Sequence, residues 1–239
     1  MTLRDLIFRF GWDTRCRNVD VARVLRPLLG EETTLLDAGC GEYGLTAFML
    51  SAQITGVDIL PADTIAKGVN YVHGSIIDIP FEDRFFDIAA SVDVLEHLPE
   101  DIRPAAVKQL VRVAKNAVVI TFPCGERARN IDEYFEKELK DRGQPLPEWL
   151  AEHLANRYPE AKEIIDEITT EAESSERKVS TQVIYSENST VAKILRWSAA
   201  RSKYLYIAAN LLAGILLPIM PKANAANGYR AIVFTKFDS

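Results

Sequence analysis

Cysteine is scarce in this chain of 239 residues: there are three, Cys16, Cys40 and Cys124, far apart and in no C-x-x-C pair. That excludes a disulfide framework and a cysteine-built zinc or redox centre, and it fits a reducing cytoplasm. An excess of positive charge is lacking too, since 28 Lys and Arg against 34 Asp and Glu leave a net charge of −6. No broadly basic surface is available to grip extended nucleic acid through its phosphates. The N-terminal stretch MTLRDLIFRFGWDTRCRN has neither the unbroken apolar run nor the small-residue cleavage site of a secretory signal, so it reads as part of the mature protein. Internal repeats and low-complexity tracts are absent. What is present, 48% hydrophobic and 26% charged residues, fits one globular α/β domain with a sizeable core and room for insertions.

Val19 to Leu29 has helical apolar spacing disturbed by Pro27 and stopped by Gly30. The compact run TLLDAG then reads as a buried strand, LTAFMLSA as a helix and ITGVDIL as a second strand, the opening of a parallel sheet. YVHGSI, FFDIAASV, the helix IRPAAVKQLVRVAKN and the strand AVVITFP continue the alternation to residue 123. Residues 124–175 change character to acidic helical patterns broken by Gly and Pro, expected to cap the sheet. VSTQVIYS and GYRAIVFTKF return to strand, separated by a long helical connection over 188–222. The expectation is one Rossmann-like, doubly wound domain spanning 1–239. It has a mostly parallel seven-stranded sheet, a cofactor-binding core over 33–123 and helical insertions after strand 5 and between strands 6 and 7.

The stretch LLDAGCGEYG places Gly39, Gly41 and Gly44 in a G-x-G-x-x-G, a spacing too common to name a ligand alone. A dinucleotide pyrophosphate in such a loop is doubly negative, and a carboxylate at the end of the first strand opposes it; Asp37 occupies that place. The same carboxylate suits a ligand carrying an ammonium and a sulfonium, which S-adenosylmethionine does. Asp58, ending the second strand, can accept from both hydroxyls of a ribose.

LLDAGCGEYG, ITGVD, GSIIDIPFEDRFFDIAASVDVLEHLPED and VVITFP, in that order over residues 33–123, resemble the class I S-adenosylmethionine-dependent methyltransferases of the type 11 kind. The resemblance implies S-adenosylmethionine as cofactor. Asp37, Gly39 and Gly41 then line its methionine end, with Ser91, Val92 and Asp93 beside it, and Asp58 binds its ribose. Where the family often has an acid at the adenine edge this chain has Ser75, whose hydroxyl can still accept from the adenine amino group, with Ile76 supplying main chain. The third glycine stands one place later than in many members, leaving Glu42 or Tyr43 at the mouth of the site and the role of Gly44 open.

SVDVLEHLPED begins where the fourth strand should leave the sheet, at the carboxyl edge where open α/β sheets bind ligands. His97 is the candidate general base, the alternative being that Glu96 and His97 only orient the next helix. Asp93, Glu96 and His97 fall at i, i+3 and i+4 and would share one face of a helical turn. With Asp in the first place they resemble the Glu-x-x-Glu-His cluster that binds a divalent metal in ubiquinone-type and small-RNA methyltransferases, but VLEHLP also occurs in metal-free relatives, no further ligand is evident and no metal is expected. His73 reads as structural. Trp149 and His153, one helical turn apart, read as ordinary packing, with substrate contact as the other reading.

Tyr204 to Pro221 is uncharged and flanked by Arg196, Arg201, Lys203 and Lys222, yet it is short for a span and broken by Gly214 and two prolines. It is expected either buried or lying at a lipid interface. The insertions also bear a loose resemblance to methyltransferases of surface-glycan and lipid-linked assembly. The expected reaction is O-methylation of a small-molecule, sugar or lipid-linked acceptor by a cytoplasmic enzyme that has peripheral membrane contact through 204–221 if that segment is interfacial. The competing readings are an NAD-dependent oxidoreductase, which Asp37 disfavours, and a non-catalytic module of the same fold.

Overall fold

Seven strands form one sheet in the order β3-β2-β1-β4-β5-β7-β6 in the computed structural model of the chain, which describes residues 12–48, 52–66, 68–216 and 228–238. They are β1 Thr34–Ala38, β2 Gln53–Asp58, β3 Asn70–His73, β4 Phe86–Val92, β5 Ala114–Pro123, β6 Lys178–Asn188 and β7 Gly228–Asp238. β1 to β5 pair in parallel, while β7 runs antiparallel to both β5 and β6. Among the described residues seven α-helices accompany them: α1 Trp12–Leu25, α2 Arg103–Val113, α3 Gly125–Lys140, α4 Glu148–Ala155, α5 Ala161–Ser174, α6 Ser189–Arg201 and α7 Lys203–Leu216. The expected doubly wound sheet is therefore present, with helices inserted after β5 and between β6 and β7.

Strand periodicity decides which side each helix covers. Ile88 and Ala90 of β4 and Ala117 and Val119 of β5 meet Val21 and Leu25 of α1 on one face. Ala89, Val118, Ile120 and Phe122 point the other way, against Val107 and Leu110 of α2 and Ile164 and Ile168 of α5. Burial on both faces explains why the central strands read as unbroken apolar runs. The inserted helices divide their work. α5 packs into the main core, whereas α3, α4 and α6 build a separate apolar cluster around Phe135, Leu139, Leu150 and Ala200.

Three sequence expectations meet different geometry. The first helix starts earlier and ends at Leu25, with Pro27 in a 3₁₀ turn over Arg26–Leu28 because proline lacks the N–H that an α-helix needs. The helix expected over 45–52 is described only as a 3₁₀ turn, Leu45–Ala47, while 49–51 lie outside the described residues. Its first N–H, that of Leu45, is bonded to the Asp37 carboxylate at 2.7 Å. The segment 204–221 is described only to Leu216. Tyr206, Ala209 and Ala213 of α7 pack beside Trp12 and Cys16, while Tyr204, Leu205, Leu212 and Ile215 are exposed. Among the described residues no helix is long and apolar enough to cross a membrane.

Candidate active site

The carboxyl ends of β1, β2 and β4 carry the first half of the site. β1 ends in a loop that holds Gly39 at φ 77°, Gly41 at φ 59° and Gly44 at φ 58°, left-handed conformations that glycine adopts without strain. Asp37, 2% exposed, lies beneath this loop, and among the described residues its single hydrogen bond comes from Leu45 N–H. Burial pushes its carboxyl up to about 7, with the Leu45 bond opposing and the charge of Asp58 adding to the rise. Gly44 owes its identity to this acid, because a Cβ there would stand 2.9 Å from Asp37 Oδ2.

Asp58 ends β2 and clamps the loop: it accepts from Gly41 N–H at 2.8 Å and from Leu60 N–H at 3.0 Å. Ser75 opens a turn after β3 and its hydroxyl accepts from Ile77 N–H at 3.4 Å, while the Ile76 side chain is buried in the core, leaving only its main chain to meet a ligand. Ser91 is fully buried, and its hydroxyl has no hydrogen-bond partner among the described residues. Val92, half-buried, packs toward the α1 side of the sheet. A buried carboxylate with one hydrogen bond, an orphaned serine hydroxyl and open space where a Gly41 Cβ would point fit a small cationic ligand such as S-adenosylmethionine. A pyrophosphate would meet the Asp37 charge instead.

The second half is a cavity of about 230 Å³ whose wall includes Arg17, His97, Trp149, His153, Tyr206 and Arg230. Here Asp93 departs from expectation. Its φ of 55° breaks the chain out of β4, and a 3₁₀ turn over Leu95–His97 replaces the α-helical turn expected to align Asp93 with Glu96 and His97. The Asp93 carboxylate goes to Arg230 Nε at 2.7 Å, to Arg17 at 3.3 Å and to the Thr121 hydroxyl at 3.2 Å. Arg230 in turn pairs with buried Glu187.

His97 Nδ1 lies 2.6 Å from Glu152 Oε2 on α4. Burial holds its imidazole below the ordinary range, outweighing the raising effect of Glu152, so the ring is neutral at pH 7. Its Nε2 is 3.4 Å from Nε2 of buried His153, whose Nδ1 is 3.2 Å from Asp132 Oδ2. Asp132 is fully buried, accepts from Tyr158 and Tyr229 at 2.8 and 2.9 Å and lies 3.6 Å from Arg196 Nε. Burial alone would raise its pKa, but His153, Arg196 and Tyr158 together hold it below the usual carboxylate value. Glu96, 2% exposed, is raised well above the ordinary range by burial and by Asp93.

The structure thus brings Asp37, Gly39, Gly41 and Asp58 together under one loop and sets His97 in a neighbouring cavity. Asp93 sits among arginines, and His73 lies at the exposed end of β3 in register with Asp58. His153, read as packing, is a cavity residue. Arg17, Asp132, Arg196, Tyr229 and Arg230 gave no motif signal, since their partners lie far away in the chain.

Residues 36–122 match the methyltransferase domain family. A protein of Encephalitozoon cuniculi assigned as a methyltransferase is 34% identical over 133 residues, covering 53% of this chain and 62% of its own. The tRNA (carboxymethyluridine(34)-5-O)-methyltransferase of Arabidopsis thaliana is 36% identical over 87 residues, covering 35% of this chain and 22% of its own. The chain thus spans less than two thirds of either curated relative. Among solved structures, the YcgJ protein of Bacillus subtilis shares the fold with a TM-score of 0.54 and 16% identity, covering 93% of this chain and 97% of its own.

Proposed function

We propose that residues 36–122, which match the methyltransferase domain family, work as a class I, S-adenosylmethionine-dependent methyltransferase and that the protein moves a methyl group onto a hydroxyl oxygen of a small acceptor. The observation that carries this reading is adjacency. Val94 packs against the glycine loop, where a Cβ on Gly39 would come within 2.3 Å of it, and the turn it leads into carries His97 to the cavity.

When bound, S-adenosylmethionine supplies a sulfonium methyl open to in-line attack. Asp37 and the main chain at Gly39 and Gly41 hold its cationic end, with Ser91 and Val92 beside it. Asp58 receives the ribose hydroxyls, and Ser75 with the main chain of Ile76 meets the adenine. Asp93 acts by fixing Arg17 and Arg230 in the acceptor wall. His97, neutral and turned into the cavity, takes the acceptor proton through Nε2, while Glu152 holds the ring. Trp149 and Tyr206 offer aromatic faces that orient the acceptor, which is where much of the rate of a direct displacement arises.

About 230 Å³ admits a small molecule or the reactive end of a glycan or lipid-linked one. A lipid-linked acceptor is favoured by α7, which exposes Tyr204, Leu205, Leu212 and Ile215 next to Arg201 and Lys203 and would lie against a membrane surface from the cytoplasmic side.

Calorimetry with S-adenosylmethionine and with a nicotinamide dinucleotide tests the cofactor, and transfer of labelled methyl to extracted acceptors tests the reaction. Asp37→Ala should abolish the first binding and the transfer. Tighter dinucleotide binding would establish the oxidoreductase reading instead.

A further inference from the structure

The two imidazoles of the cavity meet nitrogen to nitrogen, each with its other nitrogen on a carboxylate. His97 Nδ1 is on Glu152 and His153 Nδ1 is on Asp132, so each ring donates its N–H to a carboxylate and presents a lone pair at Nε2. Those two lone pairs converge at 3.4 Å. Glu96 Oε1 is 3.9 Å from His153 Nε2, and Glu96 Oε2, on a side chain that is 2% exposed, has no hydrogen-bond partner among the described residues. One donor atom from each of Glu96, His97 and His153 lies within 4.8 Å of the others. Three electron-pair donors therefore converge on one point, and a group of positive charge belongs there.

The geometry points to a divalent first-row transition-metal site formed by Glu96, His97 and His153, with its remaining positions open to the acceptor cavity. An ion about 2.1 Å from two nitrogens at a tetrahedral angle separates them by about 3.4 Å, the spacing observed between the two Nε2 atoms. The Glu96 carboxylate, 3.9 Å from His153 Nε2 and within 4.8 Å of a His97 nitrogen, joins them by a shift of its side chain toward the ion. Carboxylates on the far nitrogens are the usual outer partners of metal-bound histidine, fixing the tautomer and aiming the lone pair. Two nitrogens and one carboxylate suit Zn²⁺ or Mn²⁺ better than Mg²⁺ or Ca²⁺, which prefer oxygen throughout. Asp93, engaged with Arg17 and Arg230, stands outside the set.

The consequence deepens the methyl-transfer reading and rests on it. A hydroxyl oxygen bound at an open position of the ion loses its proton near neutral pH. The nucleophile is then the metal-bound alkoxide, its oxygen–carbon bond forms as the sulfonium–carbon bond breaks, and the released proton passes to solvent. With the ion present, His97 serves as a ligand rather than as the base.

The test titrates the full-length protein, stripped with a chelator, with Co²⁺ and then with Zn²⁺. The expected result is visible absorption of nitrogen-bound Co²⁺ saturating at one equivalent, displaced by Zn²⁺ and untouched by millimolar Mg²⁺. Glu96→Gln and His153→Asn should weaken it at least ~10-fold. Glu152→Gln, on the exposed side of α4, should weaken it less while leaving the circular dichroism unchanged. No Co²⁺ spectrum at stoichiometric metal, or one that survives all three substitutions, would overturn the site. Binding of S-adenosylhomocysteine to the same samples, measured by calorimetry, separates the two claims. Retained nucleoside binding without metal removes only the metal site, and metal binding without nucleoside binding removes the methyl-transfer reading.

Discussion

Gly39 and Val94 pack together where the glycine loop after β1 meets the turn that carries His97, so closely that a single carbon added to Gly39 would lie 2.3 Å from Val94 Cγ2. At Gly41 the same addition meets nothing within 4 Å. Both glycines have positive φ, so alanine costs about 1–2 kcal/mol of backbone strain at either. Gly39→Ala must also push Val94, and with it the turn carrying His97. We expect Gly39→Ala to lower thermal stability more than Gly41→Ala does and to reduce turnover, as read by parallel melting and methyl-transfer assays. Equal melting temperatures for the two variants would contradict the contact.

The buried Asp37 predicts a pH dependence with a definite sign. Its folded pKa, about 7, exceeds the 3.8 of an aspartate in water. The folded state therefore holds the extra proton between those values, and the stability linked to it is present below about pH 4 and lost as pH rises through 7. A cationic cofactor prefers the ionised acid, so its affinity should rise roughly 10-fold from pH 6 to pH 8, with proton release visible in buffers of different ionisation enthalpy. Asp37→Asn should stabilise the fold at pH 8 by roughly 1–3 kcal/mol while weakening cofactor binding. A pH-independent affinity would count against this assignment.

His97→Ala should leave cofactor affinity nearly intact and lower activity ~10²-fold or more, whether the ring takes a proton or holds an ion. Unchanged turnover would remove His97 from the mechanism.

Asp132, itself fully buried, carries four partners, His153, Tyr158, Tyr229 and Arg196. Asp132→Ala removes the acceptor that the Tyr158 and Tyr229 hydroxyls and His153 share, which should cost about 1–3 kcal/mol. Denaturant unfolding checks it, and a loss below 1 kcal/mol would mean the cluster relaxes around the gap.

The exposed apolar face of α7 should carry the protein down with anionic liposomes at low salt, and high salt should release it. Ile215→Glu, at a position 69% exposed, should weaken that association without altering the melting temperature. A protein that stays in the supernatant at low salt would assign the face to something other than lipid.

Much of this was legible in the sequence because it is local. The succession of strands and helices along the chain and the loop joining Asp37 to the glycines follow from runs of a few residues whose periodicity is set by the backbone, whereas the antiparallel setting of β7 between β5 and β6 does not. His97 was legible for the same reason, standing a few residues past the end of β4. The acceptor cavity was not. Its wall joins Arg17, Asp93, His153 and Arg230 across as many as 137 positions, and long-range ion pairs leave no periodic trace. Asp93 shows the limit of spacing arguments, since i, i+3 and i+4 describe one face only if the turn is α-helical, and a positive φ cancels that premise. Gly44, whose position the loop pattern left open, is accounted for by the acid beneath it.

Arg17 on α1 and Arg230 on β7 meet on one carboxylate, Asp93, near the middle of the chain. The cavity wall is therefore held by elements from opposite ends of the described residues, and a change at Arg17 or Arg230 reaches the other through a carboxylate that neither α1 nor β7 carries.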